Sequence, residues 1–271
     1  MLQKIKSNKG LTLIELLVAA TIALICTGAA LELYISQQRG WLAQENITDM
    51  QQNGRAAIDE LAFHIRQSGY HIPYCIDAIW ASNSDPDTIT VIYMKEPQCN
   101  ATMIDAMDQP TSDIECESDS VGCFEDNTWA YIYDPVAEEG EIFFISQVQH
   151  ASGQIQHSTM ALSKAYPIGS QIFVIESSTF FVDNTTDSLN PKLMVQYQDG
   201  VPHIYADNIE DLQFKYGMTY GAEVDTFVSS RLVREVGITL IARTENVDYI
   251  TGQDFVRDTF ETSVFVRNLA F

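Results

Sequence analysis

Lysine and arginine are scarce in this chain: 15 stand against 37 aspartates and glutamates, for a formal net charge of −22 over 271 residues. Three of those cations, Lys4, Lys6 and Lys9, fall in the first ten residues, which hold no acid. So acidic a remainder repels phosphate backbones and anionic headgroups, and nucleic-acid partners are set aside. Catalytic signatures are missing as well. The histidines His64, His71, His150, His157 and His203 form no H-E-x-x-H motif and no i,i+4 metal pair. No G-x-S-x-G, P-loop or G-x-G-x-x-G occurs. The sequence therefore reads as a non-enzyme without cofactor or metal. Cysteines are few and no C-x-x-C knuckle joins them, which disfavours zinc. Proline is absent before Pro73, so nothing of that kind interrupts a helix over the first seventy residues.

What fills that proline-free stretch is apolar. From Leu11 to Leu31 the one formal charge is Glu15, and a helix of this length covers about 30 Å, enough to cross a bilayer. Lysines before it and acids after it place the N-terminus in the cytoplasm. A cleavable secretory signal offers a competing account, with small residues at Thr27-Gly28-Ala29-Ala30. It gives no reason for Glu15, because a carboxylate near the centre of an inserted helix costs about 2.5–3.5 kcal/mol. A lipoprotein signal fails because Ile25, not a small residue, precedes Cys26.

Beyond the apolar run the helical period continues. Ile47, Met50, Gly54, Ile58, Leu61 and Ile65 step by three and four, with Arg39, Glu45, Asp49, Arg55, Asp59 and Arg66 largely off that stripe. The pattern predicts one nearly continuous helix over 11–68, ended by Gly69 as a left-handed cap. Trp41, about two turns past the apolar run, suits a membrane interface.

The residues Lys9-Gly10-Leu11-Thr12-Leu13-Ile14-Glu15, followed by that run, resemble the prepilin motif of type IV pilins and type II secretion pseudopilins. The resemblance implies that a prepilin peptidase cuts after Gly10 and methylates the new amine of Leu11, where phenylalanine is more usual. It implies a role for Glu15 too: in a bundle of such helices its carboxylate faces the Leu11 amine of a neighbour. Opposite charges at 4 Å attract by about 4 kcal/mol at an effective dielectric of 20, comparable to the insertion cost. An acid that only reaches back to the headgroups is the plainer alternative.

After Tyr70 the pattern alternates. Thr88–Met94, Trp129–Asp134, Glu141–Gln149, Gln171–Ile175, Thr179–Val182, Leu193–Tyr197, Leu212–Tyr216, Glu235–Ile241 and Thr259–Val266 read as strands, parted by breakers such as Asn190-Pro191 and Asp199-Gly200. The expected fold is α+β: a long N-terminal helix, transmembrane in its first half and amphipathic in its second, packed on a mostly antiparallel sheet domain. The expected organisation is a leader over 1–10, a transmembrane and filament-core helix over 11–35, its amphipathic continuation over 36–69, and an extracytoplasmic β-rich domain over 70–271. An acidic insertion at about 95–128 reads as a loop held by disulfide. Of the three pairings open to Cys75, Cys99, Cys116 and Cys123, the short loop Cys116–Cys123 with Cys75–Cys99 is favoured. Asp183–Asp187 and Asp113–Asp126 have the oxygen-rich composition of calcium loops but not the EF-hand spacing, and read as solvated acid.

Four further blocks, Gln51–Tyr70, Ala206–Gly217, Arg234–Thr244 and Phe260–Phe271, resemble PilW-type minor pilins, close in plan to the J-type pseudopilin of type II secretion. That resemblance implies a pilin-like fold and a minor pilin that helps initiate or cap a type IV pilus. Its partners would be the prepilin peptidase, other major and minor pilins, and inner-membrane lipid before assembly. The chain would sit as a single-pass inner-membrane protein, then in an extracellular filament or the periplasm. A type II secretion pseudopilin and a membrane-anchored adhesin are the alternatives.

Overall fold

The structure, a computed structural model, describes residues 12–73, 76–94, 96, 98–157, 161–249, 252 and 254–269. Gly10, Leu11 and Cys75 lie outside them. Helix α1 runs Leu13–Gln67, 55 residues without a break, about 82 Å long at 1.5 Å per residue. It ends as the sequence predicts. Ser68 donates its backbone N–H to the Ile65 carbonyl, and Gly69 takes φ +73°, the left-handed region that a residue without Cβ enters at no cost. The Gly69 amide then bonds the Ile92 carbonyl at 2.9 Å, so the helix hands its chain directly to the sheet.

The strands come in chain order. First are β1 Ile79–Ser82, β2 Thr88–Tyr93, β3 Asn100–Thr102 and β4 Ile114–Glu115. Then come β5 Thr128–Asp134, β6 Glu139–Ile145, β7 Gln147–Gln149, β8 Gln154–Gln156 and β9 Gln171–Val174. The remainder are β10 Glu176–Asp183, β11 Lys192–Tyr197, β12 His203–Asp207, β13 Ile209–Met218, β14 Glu223–Val224, β15 Val233–Val247 and β16 Phe255–Phe265. Each segment read as a strand from its β-branched and aromatic content is one, although Glu141–Gln149 splits into β6 and β7 at Ser146. All recorded pairings are antiparallel.

Two sheets carry the helix: β1-β2-β10-β11-β12 and β14-β13-β15-β16. Helix α1 lies against β15 and β16 of one and β2 and β12 of the other. Its apolar stripe is what they cover: Met50, Gly54, Ala57, Ile58, Leu61 and Ile65 are buried, and Ile47 is partly so. Each fully buried aliphatic side chain contributes about 1.5–3 kcal/mol relative to leaving it in water. Asp87 stitches the two sheets. Its amide bonds the Leu212 carbonyl and its Oδ2 accepts from the Phe214 amide, both at 2.8 Å, while Oδ1 caps Ser84. A buried carboxylate that accepts from two backbone amides is held rather than penalised.

The other two sheets, β3-β9-β5-β6 and β4-β8-β7, enclose a second core that includes Met103, Ile114, Val121, Phe124, Phe143 and Tyr166. The acidic insertion is therefore not a bare loop; it buries its own apolar residues between acidic turns. The cysteines also pair differently from the sequence expectation. Cys99 is bonded to Cys123, with Cα atoms 5.7 Å apart, within the ordinary span of a disulfide. That leaves neither a Cys116–Cys123 nor a Cys75–Cys99 bridge. The reason is local: Cys116 stands opposite Met103 in an isolated antiparallel bridge and donates its amide to the Gly153 carbonyl, and its side chain lies in the second core. The turn from Glu117 to Phe124 brings Cys123 to Cys99 instead.

Candidate assembly site at the start of the long helix

Thr12 and Glu15 build the described end of α1. Thr12 is extended, with φ −79° and ψ 152°, and stands at the N-cap. Its hydroxyl accepts from the Glu15 amide at 3.3 Å. In return, one carboxylate oxygen, Glu15 Oε2, accepts from the Thr12 amide at 2.9 Å and from the Thr12 hydroxyl at 2.8 Å. This reciprocal capping box satisfies two of the backbone amides that open any helix, where a negative side chain also meets the positive end of the helix dipole. A cap of this kind is worth about 1 kcal/mol.

The sequence reading gave Glu15 an intermolecular task and overlooked this local one. The signal was there: threonine followed three residues later by glutamate, ahead of an apolar run, is the capping-box signature. Both bonds end on Oε2, and each carboxylate oxygen carries two lone pairs. The cap therefore leaves Glu15 with capacity for a second partner. Gly10 and Leu11, the expected cleavage and methylation positions, fall outside the described residues.

Behind the cap, α1 is bare. From Thr12 to Arg39 every residue is exposed, with Leu13 at 81%, Leu24 at 75% and Ile25 at 67%. The helix is long and apolar enough to cross a membrane. A monomer in water does not leave so much contiguous apolar surface without a use, since patches of that kind mark lipid or partner contact. Two of its polar side chains are satisfied within the helix: the hydroxyls of Thr21 and Thr27 donate to the carbonyls of Leu17 and Ala23, both at 2.7 Å. A hydroxyl with an internal acceptor enters hydrocarbon at less cost than a bare one. Cys26 is a free, exposed thiol on the same shaft. Tyr34 and Trp41 are exposed where the apolar run gives way to the packed half, the position of interfacial aromatics.

Elsewhere, the acidic loops hold their own turns. Asp183 Oδ1 accepts from the Thr185 amide and hydroxyl and the Thr186 amide. Thr186 above all, with Thr185, holds that carboxyl well below the usual range. Asp187 accepts from the Leu189 amide and the Asn190 carboxamide. Among the described residues no cluster of three or more histidines, cysteines or acids forms a metal-holding group.

The prokaryotic N-terminal methylation motif matches residues 5–31. The match supports a type IV pilin-like prepilin, a structural rather than enzymatic class processed by prepilin peptidase for pilin-type assembly. With the long apolar helix it points to membrane anchoring before assembly. No curated protein and no solved structure matches the chain significantly.

Proposed function

We propose that this protein is a minor pilin of the PilW type, cut after Gly10, methylated on the Leu11 amine, and incorporated in a type IV pilus, where it helps initiate or cap the filament. The observation that carries the reading is the division of α1: its first half is entirely exposed and mostly apolar, while its second half is locked onto the sheet domain. A chain built this way extends a greasy rod from a folded head, and many such rods bury each other when bundled.

In that bundle Glu15 has two duties. It caps its own helix through Thr12, and it pairs with the Leu11 ammonium of a neighbour inside hydrocarbon, fixing the axial register between subunits. The duties separate experimentally, because glutamine also closes a capping box but carries no charge. Glu15→Gln should keep membrane insertion and processing while filament incorporation falls at least about tenfold, as expected for an interaction of 1.4 kcal/mol or more. Thr12→Val removes the hydroxyl's part of the cap and keeps the charge, so incorporation should persist. Incorporation kept in Glu15→Gln and lost in Thr12→Val would reduce Glu15 to a helix cap and remove the intermolecular pair from the account.

A further inference from the structure

On the five-stranded sheet, one line of directly opposed residues crosses four strands: Trp80 on β1, Thr90 on β2, Thr179 on β10 and Gln196 on β11. Opposed residues share a face. The helix fixes which face it is. Ile89 and Phe180 are opposed and buried, and the Phe180 ring lies 5.1 Å from the ring of His64 on α1, so their sequence neighbours Thr90 and Thr179 point away from the helix. Their hydroxyls meet at 2.8 Å. Ser177 and Gln198 form part of a second row, joined by a bond from the Gln198 amide to the Ser177 carbonyl at 2.9 Å.

This floor of hydroxyls and carboxamides opens into a cleft of about 280 Å³ with a tryptophan on each side. Trp80 is 50% exposed. Trp129, from β5, is clamped: its indole N–H donates to Asp199 Oδ2 at 2.6 Å, and its ring stands edge-on to Phe144 at 5.2 Å. A platform fixed in advance loses little freedom when something settles on it.

We propose that this cleft binds a neutral glycan, with hexose rings against the indoles of Trp80 and Trp129 and their hydroxyls on the threonine and glutamine floor. A sugar ring offers an apolar C–H face rimmed by hydroxyls, each both donor and acceptor. The indole face, negative by its quadrupole, suits the first, and side chains that both donate and accept suit the second. Thr90 pairs with Thr179 and the Gln196 and Gln198 carboxamides donate to the Gly200 and Ile175 carbonyls, but the oxygens of these side chains keep acceptor capacity that an apolar ligand would bury unused. An anionic one meets Asp199 and a chain of net charge −22. An extended peptide draws its affinity from a free strand edge, and this floor is the face of β2 and β10, each paired on both sides. The cleft's chemistry is independent of the proposed pilus role; that role adds only that the exposed half of α1, which bundles, contributes no residue to the cleft.

The test is calorimetry and saturation-transfer NMR on the full chain, in a zwitterionic detergent without sugar headgroups. The probes are maltotriose, cellotriose, triacetylchitotriose, 3′-sialyllactose and an uncharged proline-rich decapeptide. At least one neutral trisaccharide should bind at concentrations up to about 10 mM, enough to saturate even a millimolar site. Trp80→Ala should weaken it about tenfold or more, Trp80→Phe less, and the isosteric Thr90→Val should also weaken it. Near-ultraviolet circular dichroism checks that each variant is folded. Silence from all three neutral probes, equal binding by Trp80→Ala, or preference for sialyllactose or the peptide would each overturn the proposal. None of these readouts depends on processing or filament assembly, so failure here leaves the pilin reading untouched, and the reverse.

Discussion

Gly54, in the packed half of the long helix, lies against the ring of Phe260 on β16 so closely that a Cβ at Gly54 would clash with Phe260 Cε2. The same helix holds Gly40, where a Cβ would meet nothing within 4 Å. One substitution should therefore change sign between the two sites. Gly40→Ala gains about 1 kcal/mol of helix propensity. Gly54→Ala gains the same and loses about 1–3 kcal/mol to overpacking, for a net loss of about 1 kcal/mol. Thermal unfolding of the full chain in detergent reads both, and adding Phe260→Leu to Gly54→Ala should restore the loss. Stabilisation at both glycines would mean that the helix is not seated on β16 as described.

The disulfide Cys99–Cys123 and the buried Cys116 make a chemical prediction. Burial pushes the Cys116 thiol up to about 12, far from thiolate formation at neutral pH. Under native, non-reducing conditions iodoacetamide should leave Cys116 unmodified, and peptide mapping should find Cys99 joined to Cys123. Only after denaturation should Cys116 react. A Cys116–Cys123 peptide would restore the pairing expected from loop length. Cys99→Ser should destabilise the second core by about 2–4 kcal/mol in a two-state measurement.

His64 supplies a pH dependence. It is buried under Phe180 and beside Tyr93 and Tyr197, with Nε2 3.4 Å from Glu60 and Nδ1 without a hydrogen-bond partner among the described residues. Burial lowers its pKa, and Glu60 opposes the shift without reversing it. Below about pH 6.5 the unfolded chain binds a proton that the folded state resists, so stability is complete above that value and declines as pH falls through the folded pKa. On going from about pH 7.5 to about pH 5.5, the native protein should lose more melting temperature than His64→Leu, in which this titration is gone while the carboxylates are the same. Equal losses would remove His64 as the cause.

The helix and the sheet were legible because period and burial agree. The step of three and four from Met50 to Ile65 is the face that β15 and β16 cover, and the alternation from Thr88 to Val91 is the burial pattern of β2 up to Ile92, which is buried as well. Strands β1 and β12 escaped notice, as did the two- and three-residue strands β3, β4, β8 and β14. Ile79–Ser82 has one buried residue out of four and His203–Asp207 likewise one of five, so these edge strands show no alternation to read. The disulfide was misread for a related reason. Loop length favoured Cys116 with Cys123, but pairing depends on which way each Cβ faces, and that was set by the bridge from Met103 to Cys116, thirteen residues apart and invisible in spacing. At the candidate site the charge of Glu15 drew attention to a partner in another chain, and Thr12, three residues away, was passed over.

The central claim is that the chain is cut between Gly10 and Leu11 and that the freed amine enters assembly. The most direct measurement is intact and N-terminal peptide mass spectrometry of the protein recovered from its native envelope. The account predicts a first residue of N-methylated Leu11, with cutting abolished by Gly10→Val. A mature chain beginning after Ala30, or one retaining residues 1–10, would contradict it.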